Sequence, residues 1–192
     1  MMKISKIKSA ILLVFLFLLG SEASFSQAKY VMSASPLLKI EGGSTLHDWH
    51  METNQAKGEG VFLLEAGKLK TVQSLTISFQ AESLKSGTSG LDKNAYKALK
   101  TNSHKEIKFT LKELSGSGTT FTANGDLLIA GATKSVSFPV KMTPSGNQMV
   151  FEGELSTKLT YFSIEPPTAL LGTVKTDDEI KISFKTGFQP TL

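Results

Sequence analysis

The chain has 192 residues, with 21 basic, 17 acidic, three His, one Trp and no Cys. Without cysteine there is no disulfide, no thiolate metal site and no lipid-modified N-terminal cysteine. Every basic residue is Lys and the net charge is only +4, so the guanidinium fork that grips phosphate and reads guanine is missing and no nucleic-acid partner is expected.

Lys3, Lys6 and Lys8 precede an apolar run from Ala10 to Leu19, and Ser26-Gln27-Ala28 places small residues where a signal peptidase reads them. A charged start, an apolar middle and a cleavage site make an export signal. Residues 1–28 are therefore read as a signal peptide, with cuts after Gly20 or Ala23 as alternatives. An uncleaved anchor fits less well, because the uncharged stretch 9–21 holds 13 residues and a span needs roughly 20. Cleavage removes Lys3, Lys6, Lys8 and Glu22 and lowers the net charge from +4 to +2. The expected destination is the periplasm or the exterior. Residues 29–192 read as one domain, since no linker, charge block or repeat divides them.

Early in that domain, His47-Asp48-Trp49-His50 is the one polar cluster with a possible site chemistry. His47 and His50 have metal-like spacing on a helix, but residues three apart on a strand face opposite sides. No metal is expected. Trp49 is read as a large inward side chain near one end of the fold, with His47 or Asp48 satisfying backbone groups of a turn.

From there the dominant period is two. Leu75, Ile77, Phe79 and Ala81 alternate with polar residues; so do Ile107, Phe109 and Leu111, then Val136, Phe138, Val140 and Met142, then Phe151, Leu155 and Leu159, then Ile180, Ile182 and Phe184. Each segment has one dry face, the pattern of an antiparallel sheet with a single buried side. Turns are expected at 58–60, 66–68, 116–118, Gly131 and 145–147. Pro139 must sit at a bulge or a gap in the ladder, because it has no N–H to give. A meander of strands about ten residues long makes a barrel or a sandwich.

One segment breaks the period. Over 89–101, Leu91, Ala95 and Leu99 recur every fourth residue beside Tyr96 and Ala98, which predicts a short amphipathic helix capped by Ser89 or Asp92. Such a helix plugs a barrel end or covers a sheet edge. Near the C-terminus Pro166-Pro167 stiffens the chain before an apolar tip of Ala169, Leu170 and Leu171. That tip folds back as a lid or makes a transient membrane or partner contact.

Residues 125–136, Gly-Asp-Leu-Leu-Ile-Ala-Gly-Ala-Thr-Lys-Ser-Val, carry a strand, a Gly turn, Thr-Lys and a second strand. Together with residues 100–109, 177–184 and 44–49 they resemble the YceI-like family, and the likeness covers roughly 30–188. That resemblance implies an all-β, antiparallel, up-and-down lipocalin-like barrel of about eight strands, whose apolar cavity binds a polyisoprenoid or fatty-acyl chain. The shortened stretch Asn102-Ser103-His104 and the 166–172 insertion depart from the family pattern and bear on ligand identity.

The inward phase supplies the candidate apolar lining: Trp49, Phe79, Tyr96, Leu99, Phe109, Leu111, Phe121, Phe138, Phe151, Leu155 and Phe184. Inward Phe also fills cores, so the list serves either a pocket or a packed interior. No catalytic residue and no cofactor are expected: there is no Gly-x-Ser-x-Gly elbow, phosphate loop or dinucleotide fingerprint, and Asp177-Asp178-Glu179 reads as solvated. The expected function is an exported carrier or store for an isoprenoid or fatty-acyl lipid. The alternatives are a structural or interaction domain of the envelope without a small ligand, and a lipid-modifying hydrolase or isomerase. The sequence leaves the oligomeric state open, a homodimer included.

Overall fold

The computed structural model describes residues 25–33 and 36–191. The expected signal segment falls outside these up to residue 24; residues 25–28 are described, as the start of the first strand. Among the described residues the strands are β1 (Phe25–Met32), β2 (Leu37–Ser44), β3 (Trp49–Thr53), β4 (Lys57–Glu65), β5 (Lys68–Gln80), β6 (Glu106–Ser117), β7 (Thr120–Ile129), β8 (Ala132–Ser145), β9 (Gln148–Lys158), the two-residue β10 (Thr168–Ala169) and β11 (Val174–Pro190). The helix α1 (Ser89–Ala98) stands between β5 and β6.

The period-two alternation dictates a sheet with one dry face, and the chain hides that face by closing the sheet on itself. Strands β4 to β9 form an antiparallel meander, β9 pairs with β11, and β11 and β4 both pair with β1. Eight antiparallel strands thus close a barrel, which leaves no edge strand in the ring to template aggregation.

One feature departs from a plain up-and-down ring. The long β11 pairs with β1 near its end, Phe188 opposite Met32, and with β2 before that, Lys185 opposite Leu37. Strand β2 then turns into β3, Gly42 opposite Trp49, so a β2–β3 hairpin extends the wall at one end. Onward from β3 run the isolated Glu52–Lys85 bridge and the buried Thr53–Ser83 hydroxyl hydrogen bond (2.8 Å), and α1 lines the space beside the hairpin. The β8–β9 ladder begins at Val140–Gly153. Pro139 lies just past its end, where a missing N–H costs nothing on that side.

The expected turn at 58–60 is not one. Gly58 and Gly60 lie inside β4, paired with Ile77 and Leu75 of β5. A Cβ on Gly60 would come 2.5 Å from the Ser74 carbonyl oxygen, and one on Gly58 would come 2.9 Å from Met32. These glycines let neighbouring groups crowd the strand beside the bulge at Val61. Two-residue turns do stand at 66–67, 118–119, 130–131 and 146–147; Ala66-Gly67 and Ala130-Gly131 each have two positive φ values (48° and 77°, 49° and 83°). That is the two-residue hairpin turn whose twist matches the flanking strands.

Helix α1 begins after Thr88, so neither Ser89 nor Asp92 is its N-cap residue. Asp92 instead accepts hydrogen bonds from the Ser86 N–H (2.8 Å) and the Ser86 hydroxyl (2.7 Å), tying the helix to the chain before it. The Ser86 hydroxyl holds the Asp92 carboxyl below its ordinary pKa. At the other end Lys100 takes φ 54°, and the Thr101 and Lys100 N–H groups donate to the Tyr96 and Lys97 carbonyls. This is a Schellman stop, with Lys where Gly is usual.

The core fills the barrel with two aromatic groups. Tyr30, Phe62, Phe151 and Phe188 cluster with ring centroids 4.3 to 5.9 Å apart. Phe109, Phe138 and Phe184 form the second cluster, at 5.4 and 5.7 Å. Edge and stacked contacts of this kind contribute roughly 0.5–1.5 kcal/mol per pair beyond their burial. Two rings gain their places from missing side chains. A Cβ on Gly153 would sit 2.7 Å from the Phe184 ring, and one on Gly125 would sit 2.6 Å from the Phe109 ring. Among the described residues, no helix is long and apolar enough to cross a membrane.

Candidate functional site

An eight-stranded barrel is just wide enough to be filled by its own side chains or to hold one small ligand. Here the filling is incomplete. An outer cavity of about 240 Å³ lies beneath α1, and an inner cavity of about 110 Å³ lies between the strands.

The outer cavity is assembled from distant segments. Met51 of β3, Ile40 of β2, Leu84, the α1 residues Leu91, Ala95 and Ala98, and Leu99 just after the helix make its walls. Pro167, Thr168 and Ala169 close over it. Its rim carries the polar groups Ser44, His47, Asn94 and Thr176. The helix faces inward because its every-fourth-residue stripe has no other dry surface to meet.

Trp49 also lines the outer cavity. Its indole N–H donates to the Gly43 carbonyl at 2.9 Å, and its ring lies against Gly42, where a Cβ would overlap it. The indole is thereby fixed at the mouth by one hydrogen bond and one glycine.

The inner cavity is bounded by the two aromatic clusters. Phe109, Leu111, Phe138, Phe151, Leu155 and Phe184, all picked out from the sequence, line it. Phe109 and Phe184 are part-buried and pack against the core. Phe79 and Phe121 are buried in the core and line neither cavity. Tyr96 also lines neither. Its hydroxyl donates toward the Glu82 and Leu84 carbonyls (3.0 and 2.7 Å) and accepts from Lys85 Nζ (2.7 Å), so it clamps α1 to the short turn Ala81–Ser83.

The sequence reading missed Ile40, Leu84, Leu159, Ile164 and Thr186. Thr186 follows Ile180, Ile182 and Phe184 in step with the period, so its inward position was readable. Leu159 likewise follows Phe151 and Leu155 on the dry phase; Ile40, Leu84 and Ile164 meet only through tertiary contact, which single-strand periodicity does not encode.

The 165–174 loop does two things at once. Its Pro167, Thr168 and Ala169 cover the outer cavity, while Leu171 at its tip is fully exposed and takes φ 57°. Leu46, in the turn between β2 and β3, is also exposed, at 64%. The two tips are neighbours: Thr45 donates its N–H to the Lys175 carbonyl (2.9 Å) and its hydroxyl to the Thr173 carbonyl (3.3 Å).

In the turn before Trp49, His47 meets one backbone group, as expected, and Ser44 satisfies the others. Ser44 Oγ accepts from the Leu46 and His47 N–H groups and donates to the His47 carbonyl, while the His47 ring stays at the surface with Nδ1 2.8 Å from the Asp48 carbonyl. His50 lies 3.7 Å from Glu52. Among the described residues no group of three or more His, Asp or Glu could hold a metal ion. Asp178, of the acidic run before the last strand, accepts from Thr160 N–H (2.8 Å) and hydroxyl (2.6 Å), and those bonds hold its pKa down. It serves as a cap for the turn Thr160–Phe162.

Comparison with known proteins places this architecture. BcnA of Burkholderia cenocepacia shares 16% identity over 79% of this chain and 95% of its own, with a TM-score of 0.67. A polyisoprenoid binding domain from Saccharophagus degradans shares 11% identity over 84% of this chain and 98% of its own, with a TM-score of 0.65. A YCEI protein of Campylobacter jejuni shares 15% identity over 63% of this chain and 74% of its own, with a TM-score of 0.54. No curated protein matches the chain. The family model of the YceI-like domain matches residues 29–188, and the chain belongs to the YceI-like family.

Proposed function

We propose that the protein is exported and carries or stores one isoprenoid or fatty-acyl lipid inside its barrel, without chemistry on it. The observation that carries this is the pair of apolar-lined cavities, one beneath α1 and one between the barrel strands. The outer one, about 240 Å³, exceeds the roughly 150 Å³ at which an apolar protein cavity stays dry and takes up benzene. A chain lipid gains about 0.8 kcal/mol for each methylene it removes from water. A dozen methylenes therefore contribute ~10 kcal/mol, within the range of what association costs in lost freedom. Precise polar contacts along the chain are unnecessary. The fold shared with the polyisoprenoid binding domain supports the same reading.

Loading and unloading take place at the mouth beneath the 165–174 loop, with Leu46 and Leu171 touching a membrane during transfer. The export signal in residues 1–28 delivers the protein to the periplasm or beyond. The test is to express the whole chain in its envelope setting, purify it without detergent, and extract bound organic material for mass spectrometry. A stoichiometric prenyl or acyl lipid is expected. An empty protein that also takes up no chain lipid added to it would remove the carrier reading and leave a structural envelope domain.

A further inference from the structure

Thr186 stands on the inward phase of β11 between Phe184 and Phe188, is 2% exposed and lines the inner cavity. Its Oγ1 is the one buried side-chain polar atom among the described residues without a hydrogen-bond partner. Every other side chain lining that cavity is apolar. Buried hydroxyls are almost always paired, and leaving one unpaired costs its full desolvation.

Two partners come into question. A water would need two to four polar neighbours to be held, and the lining offers it one side chain. A ligand needs only that one, because its hydrocarbon is already held by the walls. The same lining excludes charge: no Lys or His reaches the inner cavity, and an unpaired buried charge is far costlier than an unpaired hydroxyl.

We infer that Thr186 is a recognition residue for the buried end of the ligand, and that this end carries one neutral hydrogen-bonding oxygen, a hydroxyl or a carbonyl. Ionised headgroups are kept out of the inner cavity. The inference rests on the carrier reading and adds the chemistry and direction of the guest: its neutral end goes in first, and its hydrocarbon runs back toward α1 and Trp49.

The test compares tetradecan-1-ol with tetradecane, binding being read by fluorescence of Trp49, the chain's one Trp. The unsubstituted protein should prefer the alcohol by about threefold to tenfold, the range a single neutral hydrogen bond gives. Thr186→Val, which keeps the shape and removes the oxygen, should abolish that preference while still binding tetradecane. Thr186→Ser should retain it. The empty Thr186→Val protein should also melt no lower than the parent, because an unsatisfied oxygen has gone. Equal binding of the two probes by the parent protein, or a preference that survives in Thr186→Val, would overturn the inference and leave the carrier reading intact. Binding of neither probe overturns both.

Discussion

Ile40 and Ile182 are register partners across the β2–β11 ladder, yet Ile40 lines the outer cavity and Ile182 the inner one. At this pair the lining of the outer cavity meets the lining of the inner one. A guest longer than either cavity has to pass it. Trimming the pair with Ile40→Ala should join the cavities at a stability cost of about 2–4 kcal/mol. Ile182→Phe should do the opposite. Shutting out two methylenes weakens a long-chain lipid by ~1.6 kcal/mol, about fifteenfold. The extra volume enters existing space, so its own stability cost should stay below ~1.5 kcal/mol. Titration with a chain-length series checks this: Ile182→Phe should lose affinity only for the longer members, and a uniform loss would place the guest elsewhere.

Trp49 and Gly42 form a second pair with a direct consequence. The indole lies over Gly42 because no Cβ intervenes, and its N–H is held by the Gly43 carbonyl. Trp49→Phe keeps most of the ring and loses the hydrogen bond, which should cost about 0.5–1.5 kcal/mol of stability. Gly42→Ala drives a methyl into the indole and should displace it, at roughly 1–3 kcal/mol. Displacement opens the outer cavity, so Gly42→Ala should release bound lipid faster while the β-sheet circular dichroism signal is kept. Unaltered release from a folded Gly42→Ala protein would show that the ring does not guard the mouth.

The ring of strands was readable from the chain because its signal is local: Ile77 and Phe79, or Ile182 and Phe184, announce a dry face every second residue. Glycine misled at 58–60. The turn signal is real for Ala66-Gly67, where φ is positive, but in β4 the same residue type answers to crowding by Met32 and the Ser74 carbonyl. Nothing in a single strand distinguishes the two. The cavities were less legible for a related reason. Phe79 and Phe109 have the same phase on adjacent strands, yet one packs in the core and the other faces open space. That difference is set by how side chains of seven barrel strands meet across the interior, which the phase of a single strand does not encode.

Leu171 offers a prediction in which stability and function move in opposite directions. It adopts φ 57°, a left-handed conformation that costs a branched apolar residue on the order of 1–2 kcal/mol and that Asn tolerates best after Gly. Leu171→Asn should therefore raise stability by ~0.5–1 kcal/mol. Membrane contact through this tip and Leu46 would draw on the 1.5–3 kcal/mol that burying a leucine contributes. The double variant Leu46→Asn with Leu171→Asn should then transfer lipid to vesicles about tenfold more slowly, with equilibrium affinity unchanged. Transfer at the parental rate would mean that unloading does not use this surface.

If the chain is exported as proposed, the start of β1 bears on where its signal would be cut. Residues 25–28 pair in order with Glu65, Leu64, Leu63 and Phe62 of β4, four of the seven register pairs by which β1 joins β4 in the seam that closes the barrel. A cut after Ala28 would strip four paired residues from the seam. A cut after Ala23 leaves them in place, and Ser21 and Ala23 also put small residues at the two positions read by the peptidase. The exported protein is therefore expected to begin at Ser24, which intact-mass measurement decides directly. The same seam predicts a difference between two versions made without the signal. The version starting at Ser24 should be more stable than one starting at Lys29, because only the longer one covers the 62–65 end of β4. Equal unfolding midpoints in urea would show that this part of the seam adds nothing, and a native start at Lys29 would return the boundary to Ala28.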